Sequence, residues 1–232
     1  MSVASSARKL LIAIAALAVA GLAQAQGTIK LGLVAEVSGP FADYGGQMYA
    51  GMKAYMKEHG DTVAGKKIEI IQRDTTGPAP EVAKRLAQEL VTRDTVDFLV
   101  GFGLTPNAMA AAPVATEAKK PMIIMNAATS IITTKSQYMI RTSLTTPQLN
   151  ASLGQWAYKN GIRKVYTIAS DFGPGIDAEG AFTRAFKETG REIIAPVNTP
   201  VATPAFSPSA PRATAPTPGS TRVKPPPPTA SN

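Results

Sequence analysis

Apolar runs of strand length alternate with amphipathic stretches of helical spacing along most of the chain. The pattern predicts strands at residues 29–34, 67–71, 96–100 and 121–125, and helices at residues 47–58, 80–91 and 108–118. Gly60 marks the end of the first helix, and Pro80 opens the second. This alternation is typical of βαβ units, so we expect a parallel sheet with helices on both faces.

The alternation pauses near residues 137–142 and then starts again. An extended piece at residues 138–140 leads into a crossover at 143–147, followed by helix 148–159, strand 164–169, helix 176–189 and strand 192–197. Two successive α/β units predict two doubly wound lobes, the first at residues 26–144 and a partial second at residues 145–199.

The remaining residues, 200–232, have a different composition. They hold ten of the 19 prolines and no acidic residue. Such a segment cannot bury an apolar core, and we expect it to be disordered or locally polyproline-like. The second lobe is therefore predicted to be incomplete, with an exposed sheet edge.

The first 25 residues have the three-part layout of a secretory signal peptide. Arg8 and Lys9 precede an apolar run at residues 10–22, and Ala23-Gln24-Ala25 supplies a small-residue cleavage site after Ala25. The alternative is a membrane anchor, but the run is shorter than the ~20 apolar residues that a bilayer requires. The sequence thus predicts export to a periplasm, and the absence of cysteine excludes a disulfide framework, a cysteine-based site and a lipid-modified cleavage-site cysteine.

The formal charge of +8 does not indicate a nucleic-acid partner. Part of this charge lies in the predicted signal peptide and the proline-rich segment, and elsewhere Lys and Arg are interspersed among Asp and Glu. A nucleic-acid-binding protein would cluster its basic residues on one face or stripe. We therefore expect a solvated surface and no nucleic-acid partner.

Ordered motifs resemble those of the leucine/isoleucine/valine-binding proteins, the solute-binding components of branched-chain amino-acid ABC transporters. The resemblance covers about residues 28–208 and rests on order and spacing rather than on any single motif. The matching segments are IKLGLV at 29–34, SGPFADYG at 38–45, RD at 73–74, GFGLTPN at 101–107, PMIIMNAAT at 121–129, RT at 141–142 and SDFGPG at 170–175.

The resemblance implies a type I periplasmic-binding-protein fold, in which two α/β lobes close on a branched-chain amino acid or related small carboxylate and deliver it to a membrane permease. It also implies the ligand-binding residues. The Thr105 hydroxyl, the backbone at Ala127 and Ala128, and the hydroxyl and amide of Thr129 are expected to hold a carboxylate, while Tyr44 and Phe172 enclose the ligand's side chain. A monomer without a cofactor or metal is expected.

Each assignment has a structural alternative. Thr105 and Thr129 are also suited to capping the helices that follow them, and Tyr44 is also suited to ordinary loop packing. Phe172 keeps an aromatic wall where many relatives have tyrosine, but it lacks the hydroxyl.

Enzymatic function is disfavoured by the motifs. The single histidine, His59, lies at the polar end of a predicted helix, and no nucleophile elbow or zinc-binding motif is present. Residues 60–66 match the spacing of a phosphate-binding loop, but Lys67 occupies its Ser/Thr position and the segment lies between a helix and a strand in the wrong order.

Two questions stay open at the level of sequence. The first is the solute, because the same lobes would serve uptake or sensing of amides, urea or aromatic carboxylates. The alternative to all of these is that the chain as written binds nothing, because its pocket is only half enclosed. After Pro208 the text becomes Ala/Pro/Arg/Ser/Thr-rich, and a frameshift in a GC-rich gene near this codon would produce such a change.

Overall fold

A computed structural model describes residues 27–190 and 192–200 as an α/β protein with two sheets. The larger sheet holds strands β1 (Thr28–Ala35), β2 (Thr62–Val63), β3 (Lys66–Asp74), β4 (Phe98–Gly101), β5 (Met122–Ile124) and β6 (Met139–Arg141), and the smaller holds β7 (Lys164–Ser170) and β8 (Glu192–Thr199). The α-helices of these residues are α1 (Ala42–His59), α2 (Pro80–Thr92), α3 (Thr105–Ala118), α4 (Thr146–Lys159) and α5 (Gly173–Lys187). Short 3-10 helices lie at Gly39–Phe41 and Ser130–Thr134.

The larger sheet has the strand order β2-β3-β1-β4-β5-β6, and all its pairs are parallel except that of β2 with β3. From β1 the chain moves to β3 on one side and then to β4 on the other, so the connections reverse direction beside β1. The register aligns Ala35 with Asp74 and Val34 with Gly101 at the carboxyl edge. A crevice forms outside this edge where the direction reverses, and ligands of such sheets bind there.

Apolar side chains cover both faces of this sheet, as the alternating pattern predicts. One cluster packs α2 and α3 against the sheet and includes Leu90, Leu99 and Met122, each fully buried. A smaller cluster on the opposite face includes Leu33 of β1 and Met48 of α1. The sheet is therefore a rigid layer that fixes the loops at its carboxyl edge.

The smaller sheet packs with α4 and α5 into a second unit. Small residues let the two helices approach closely: Gly154 of α4 faces the backbone of α5, and a Cβ atom there would lie 3.0 Å from the carbonyl oxygen of Phe182. Phe186 is fully buried and stacks on Phe182, with ring centroids 5.5 Å apart. The described part of this unit has only the strands β7 and β8, whose outer face exposes Tyr166 and Ile168.

The predicted helices and strands of residues 29–197 are present, with some different boundaries. Helix α1 begins at Ala42 rather than at residue 47, and β4 begins at Phe98 rather than at residue 96. The short strand β2 and the two 3-10 helices were not predicted, because two to five residues are too few to show a periodicity. The predicted signal peptide at residues 1–25, and all but the first residue of the segment 200–232, lie outside the described residues.

Candidate functional site

A cavity of about 610 Å³ lies at the carboxyl edge of the larger sheet and is open to solvent on one side. Its volume is within the range of small-molecule sites, about 300–1,000 Å³. Loops that follow β1, β4, β5 and β6 meet residues from the second unit there. The lining residues are Phe41, Tyr44, Gly103, Leu104, Thr105, Asn126, Ala127, Ala128, Ser143, Leu144, Thr146, Leu149, Ser170, Phe172 and Pro174, none of which carries a charge.

The first turns of three helices converge on this cavity. Thr105 begins α3, Thr146 begins α4, and Pro174 is the second residue of α5. The amino end of a helix carries a partial positive charge because its first N–H groups have no partner within the helix. Three such ends give an uncharged lining a positive potential, which favours a bound anion.

Thr105 and Thr129 form a hydroxyl pair at the edge of the cavity. Their Oγ1 atoms are 2.7 Å apart, and both residues are buried. Neither side chain caps a helix: Leu104 is the N-cap of α3, and Thr129 precedes its 3-10 helix without a side-chain cap bond. The capping alternative is therefore wrong for both residues. Only Thr105 lines the cavity, while Thr129 lies behind it.

Ala127 and Ala128 form the neighbouring wall. The Ala127 amide donates a hydrogen bond to the carbonyl of Phe102 at 3.1 Å. The Ala128 carbonyl accepts from the Thr146 amide at 2.9 Å. Asn126, which was not predicted, lines the cavity and donates to the Gly103 carbonyl at 3.0 Å.

Three aromatic residues, Phe41, Tyr44 and Phe172, line the cavity. Tyr44 extends from the first turn of α1 and packs on Phe41, with ring centroids 5.9 Å apart. It belongs to a helix rather than to a loop. Phe172 is the N-cap of α5 and comes from the second unit. The structure therefore brings Tyr44, Thr105, Ala127, Ala128 and Phe172 to one cavity.

A fully buried carboxyl group lies directly beneath the cavity. Glu36 follows β1 and has no exposed surface. Its Oε1 accepts hydrogen bonds from Asn107 Nδ2 at 2.8 Å and Thr75 Oγ1 at 3.2 Å, but its Oε2 has no partner. Oε2 faces the backbone of Gly103, where an added Cβ atom would lie only 2.0 Å away.

Burial raises the pKa of Glu36 above its ordinary value, and the neighbouring charge of Asp74 raises it further. Hydrogen bonds from its own backbone amide, Asn107 and Thr75 oppose this shift without cancelling it. The loop above it is constrained as well, because Gly101 and the buried Phe102 both have positive φ angles, of 106° and 59°. The cavity floor thus rests on a buried carboxyl group whose pKa is raised above its ordinary value.

Asn107 joins this carboxyl group to the helices. Its Nδ2 also donates to the Gly77 carbonyl at 2.9 Å, and its Oδ1 accepts from the Ala79 amide at 2.9 Å. Ala79 is the N-cap of α2, and Asn107 itself lies in the first turn of α3. One buried amide therefore fixes the beginnings of two helices relative to Glu36, and with them the position of Thr105.

Asp74 holds the loop that follows β1. Its carboxylate accepts from the Val37 amide at 2.9 Å, the Ser38 hydroxyl at 2.5 Å and the Thr76 amide at 2.7 Å. Burial opposes ionisation, but these hydrogen bonds prevail and hold the pKa of Asp74 below its ordinary value. This contact explains why an acidic residue ends β3 beside a Ser-Gly-Pro turn.

Replacement of Asp74 is expected to weaken this loop in a pH-dependent way. Asp74→Ala removes three partly exposed hydrogen bonds, and we expect a loss of about 1–2 kcal/mol in the free energy of unfolding near neutral pH. Because the folded-state pKa is depressed, the native carboxylate stabilises the fold above its unfolded-state pKa, and that contribution disappears as pH falls through the folded-state pKa.

Urea unfolding of both proteins at neutral and acidic pH measures the difference. The surface residue Asp61, which pairs with Lys67 at 3.7 Å, provides the control, and Asp61→Ala should change stability by less than about 0.5 kcal/mol. An Asp74→Ala deficit that stays constant down to acidic pH would contradict the proposed role of the carboxylate.

The second unit contacts the first through Asp177 of α5. Its carboxylate accepts from the Ser130 amide at 2.8 Å, the Ser130 hydroxyl at 3.0 Å and the Thr146 hydroxyl at 2.9 Å. Arg141 donates to the Thr129 carbonyl at 2.7 Å. Burial lowers the pKa of Arg141, and the charge of Asp177 opposes that shift.

Within residues 27–190 and 192–200, no helix is both long and apolar enough to cross a bilayer. In the same part of the chain, no three His, Cys, Asp or Glu side chains come together as a metal site.

A model of the periplasmic binding protein family matches residues 28–219 of the chain. The chain belongs to this family. The match continues past Pro208, the position near which the sequence predicts a change of reading frame. The α/β architecture, with its two sheets and flanking helices, is the type I fold that the sequence predicts.

The matched part of this chain spans about half the length of the individual relatives. The Leu/Ile/Val-binding protein homolog 6 of Brucella abortus is 44% identical over 200 residues, which cover 85% of this chain and 51% of the relative. A solute-binding protein of an ABC transporter from Rhodopseudomonas palustris BisB5, solved in complex with 3,4-dihydroxybenzoic acid, is 50% identical with a TM-score of 0.75, covering 78% of this chain and 50% of that one. Another from R. palustris, solved with 4-hydroxybenzoate, is 44% identical with a TM-score of 0.75, at 78% and 49% coverage.

Sequence reasoning missed several residues of the site. Asn126, Ser143, Leu149 and Ser170 line the cavity, and Glu36 and Asn107 lie beneath it. Glu36 stands between Ala35 and Val37 at the end of a buried strand. A lone acidic residue in that setting is a signal that would have identified it as a buried group.

Proposed function

We propose that the chain is the solute-capturing part of an ABC import receptor and that its solute is a small aromatic carboxylate. The observation that carries this proposal is the convergence of three helix amino ends on a cavity whose lining is uncharged and partly aromatic. A benzoate-like solute has one negative charge and one flat apolar ring, which are the two features that this lining accommodates.

The carboxylate is assigned to the edge of the cavity near α3. In the Thr105–Thr129 pair one hydroxyl donates to the other, so a proton of the pair remains for a ligand oxygen. Thr105 lines the cavity and is the residue that presents this proton, while Thr129 orients it from behind. The Thr129 amide and the backbone at Ala127 and Ala128 complete the predicted carboxylate contacts, except for the Ala127 amide that donates to Phe102.

The aromatic ring of the solute is assigned to the space between Tyr44 and Phe172. Aromatic side chains there supply apolar area and favourable edge or offset stacking, worth about 0.5–1.5 kcal/mol for a well-placed pair. Since Tyr44 belongs to the first unit and Phe172 to the second, the solute would bridge the units. Similarity to two relatives solved with hydroxybenzoates, at 44–50% identity, supports this assignment.

A branched-chain amino acid is the second candidate, favoured by the similarity to the Brucella Leu/Ile/Val-binding protein homolog. An amino acid brings an ammonium group as well as a carboxylate, and three helix amino ends repel the ammonium group. The cavity lining therefore suits the aromatic carboxylate better. Urea and other amides carry no charge and would not use this potential.

The wider role is part of the same proposal. Residues 1–25 would direct export and be removed after Ala25, and residues 26–144 and 145–199 would form the two solute-binding lobes. The monomeric receptor would act in the periplasm, close on its solute and deliver it to a separate permease, without a cofactor and without catalysis.

Competition measured by ligand-observed NMR on the full 232-residue chain tests the solute class. The panel contains 4-hydroxybenzoate, 3,4-dihydroxybenzoate, benzoate, leucine, isoleucine, valine and urea. Because the cavity is open on one side, we expect dissociation constants of about 0.1–1 mM for the benzoates and no displacement of them by amino acids or urea. Displacement by leucine at lower concentration would favour the second candidate, and the absence of any binding would show that this chain alone captures no solute.

A further inference from the structure

We infer that Glu36 is a specificity-determining residue of this cavity: it must be neutral while an anionic solute is bound, so that capture of the solute is linked to the protonation of one buried carboxyl group. This inference rests on the proposed function, because it requires an anion at the carboxyl edge of the sheet.

The position of the carboxyl group is the first argument. Glu36 has no exposed surface, and its unpartnered Oε2 lies against the backbone of Gly103, which lines the cavity. With an ideal Cβ of residue 103 only 2.0 Å from Oε2, a single backbone separates the carboxyl group from the cavity. Repulsion between two negative charges is strong there, since little water lies between them to screen it.

The hydrogen bonds around Glu36 are the second argument. They are concentrated on Oε1, which accepts from Asn107 and Thr75. An ionised carboxylate fully buried in a protein accepts hydrogen bonds at both oxygens, whereas in a neutral carboxyl group one oxygen accepts and the other carries a proton that it can donate. Oε2, which receives no donor, is the oxygen that would carry the proton. The asymmetry of this site therefore fits the neutral form.

The surrounding charges point in the same direction. From β3, Asp74 faces the carboxyl group with a negative charge that raises the pKa of Glu36. From α1 the ring of Tyr44 adjoins the same point, 3.3 Å from the Cβ position at Gly103, and from α3 the amide of Asn107 faces it. An anion in the cavity would be a second negative charge near Glu36 and would raise the pKa of Glu36 further.

The consequence is that selectivity for anionic over uncharged solutes depends on the protonation of Glu36. With Glu36 neutral, the partial positive charges of three helix amino ends act on the solute without opposition. With Glu36 ionised, a negative charge beneath Gly103 opposes them and weakens binding of anions, while uncharged solutes are unaffected. Affinity for an anion should therefore fall as pH rises, by up to tenfold per pH unit between the pKa values of Glu36 in the free and the bound chain.

The test is an NMR titration of the full chain with benzoate between about pH 5.5 and 8.5, a range in which benzoate stays ionised. Benzamide, its uncharged counterpart, is the control ligand. We expect the benzoate affinity to fall with rising pH and the benzamide affinity to stay constant. In Glu36→Gln the benzoate affinity should no longer depend on pH, whereas Glu58→Gln, at an exposed position of α1, should keep the native profile.

A second measurement does not require the variant to bind. The ¹³C chemical shift of the Glu36 carboxyl carbon, assigned by its absence from the spectrum of Glu36→Gln, reports directly on its ionisation. The resonance should show the protonated form over a wider pH range with saturating benzoate than without it. If Glu36→Gln does not fold by circular dichroism, the native carboxyl resonance is instead assigned through backbone experiments.

The outcomes separate the two proposals. Benzoate binding whose affinity is constant with pH, or a Glu36 carboxyl that is ionised in the complex, would overturn the role of Glu36 and leave the solute class intact. Failure of benzoate to bind at any pH would overturn both.

Discussion

Replacement of Asn107 by leucine is expected to lower the free energy of unfolding by about 3–5 kcal/mol, because it leaves several buried polar groups without partners. The Asn107 amide donates to Glu36, Thr75 and Gly77 and accepts from the Ala79 amide, and the side chain is fully buried. Leucine keeps the branched shape and leaves no cavity, so the loss measures the missing hydrogen bonds together with some overpacking.

The same change should also weaken solute binding, since Asn107 fixes the first turn of α3 two residues from Thr105. Chemical denaturation gives the stability, and benzoate titration gives the affinity. Asn160→Leu is the matched control: its amide donates only to the Trp156 carbonyl within its own helix region and is exposed, so its loss should be below about 1 kcal/mol. A similar small loss for Asn107→Leu would show that the buried network does not hold the two helices.

The sequence was sufficient for the architecture because burial on both faces of a sheet leaves a pattern of apolar runs and amphipathic helices. It predicted Gly60 and Pro80 as helix boundaries, and both hold in the structure. It placed the beginning of α1 too late, since Gly45 and Gly46 lower helix propensity in the first turns. Gly45 is there for another reason: a Cβ atom would lie 2.4 Å from the Glu36 carbonyl oxygen.

Residues of the candidate site could be predicted from the sequence only where they lie in a recognisable motif. Tyr44, Thr105 and Phe172 belong to segments that resemble known binding proteins, and all three line the cavity. The pairing of Thr105 with Thr129 spans 24 residues and that of Glu36 with Asn107 spans 71, so no local pattern reveals either. Such contacts depend on the strand order, which brings the ends of β1, β4 and β5 together.

The size of residue 103 sets the distance between the cavity and the carboxyl group beneath it. We therefore expect Gly103→Ala to lower both the stability of the fold and the affinity for benzoate. Its new methyl group would lie 2.0 Å from Glu36 Oε2 and 3.3 Å from Cδ2 of Tyr44. Relief of this overlap has to displace the Glu36 carboxyl group from its hydrogen bonds with Asn107 and Thr75, or move the backbone that leads into Thr105 or the ring of Tyr44. We expect a loss of about 1–3 kcal/mol in the free energy of unfolding, which is typical of overpacked cores, and a reduction of about tenfold in benzoate affinity.

Gly46→Ala is the matched control for this prediction. No atom lies within 4 Å of its Cβ position on α1, so alanine should stabilise the helix by about 0.5–1 kcal/mol and leave binding unchanged. A double-mutant cycle with Glu36→Ala identifies the contact itself. Deleting the Glu36 carboxyl removes the group that the new methyl overlaps, so Gly103→Ala should cost less stability in the Glu36→Ala background than in the native chain. Equal costs in the two backgrounds would mean that the overlap with Oε2 is not what position 103 avoids, and the carboxyl group would then lie farther from the cavity than the geometry indicates.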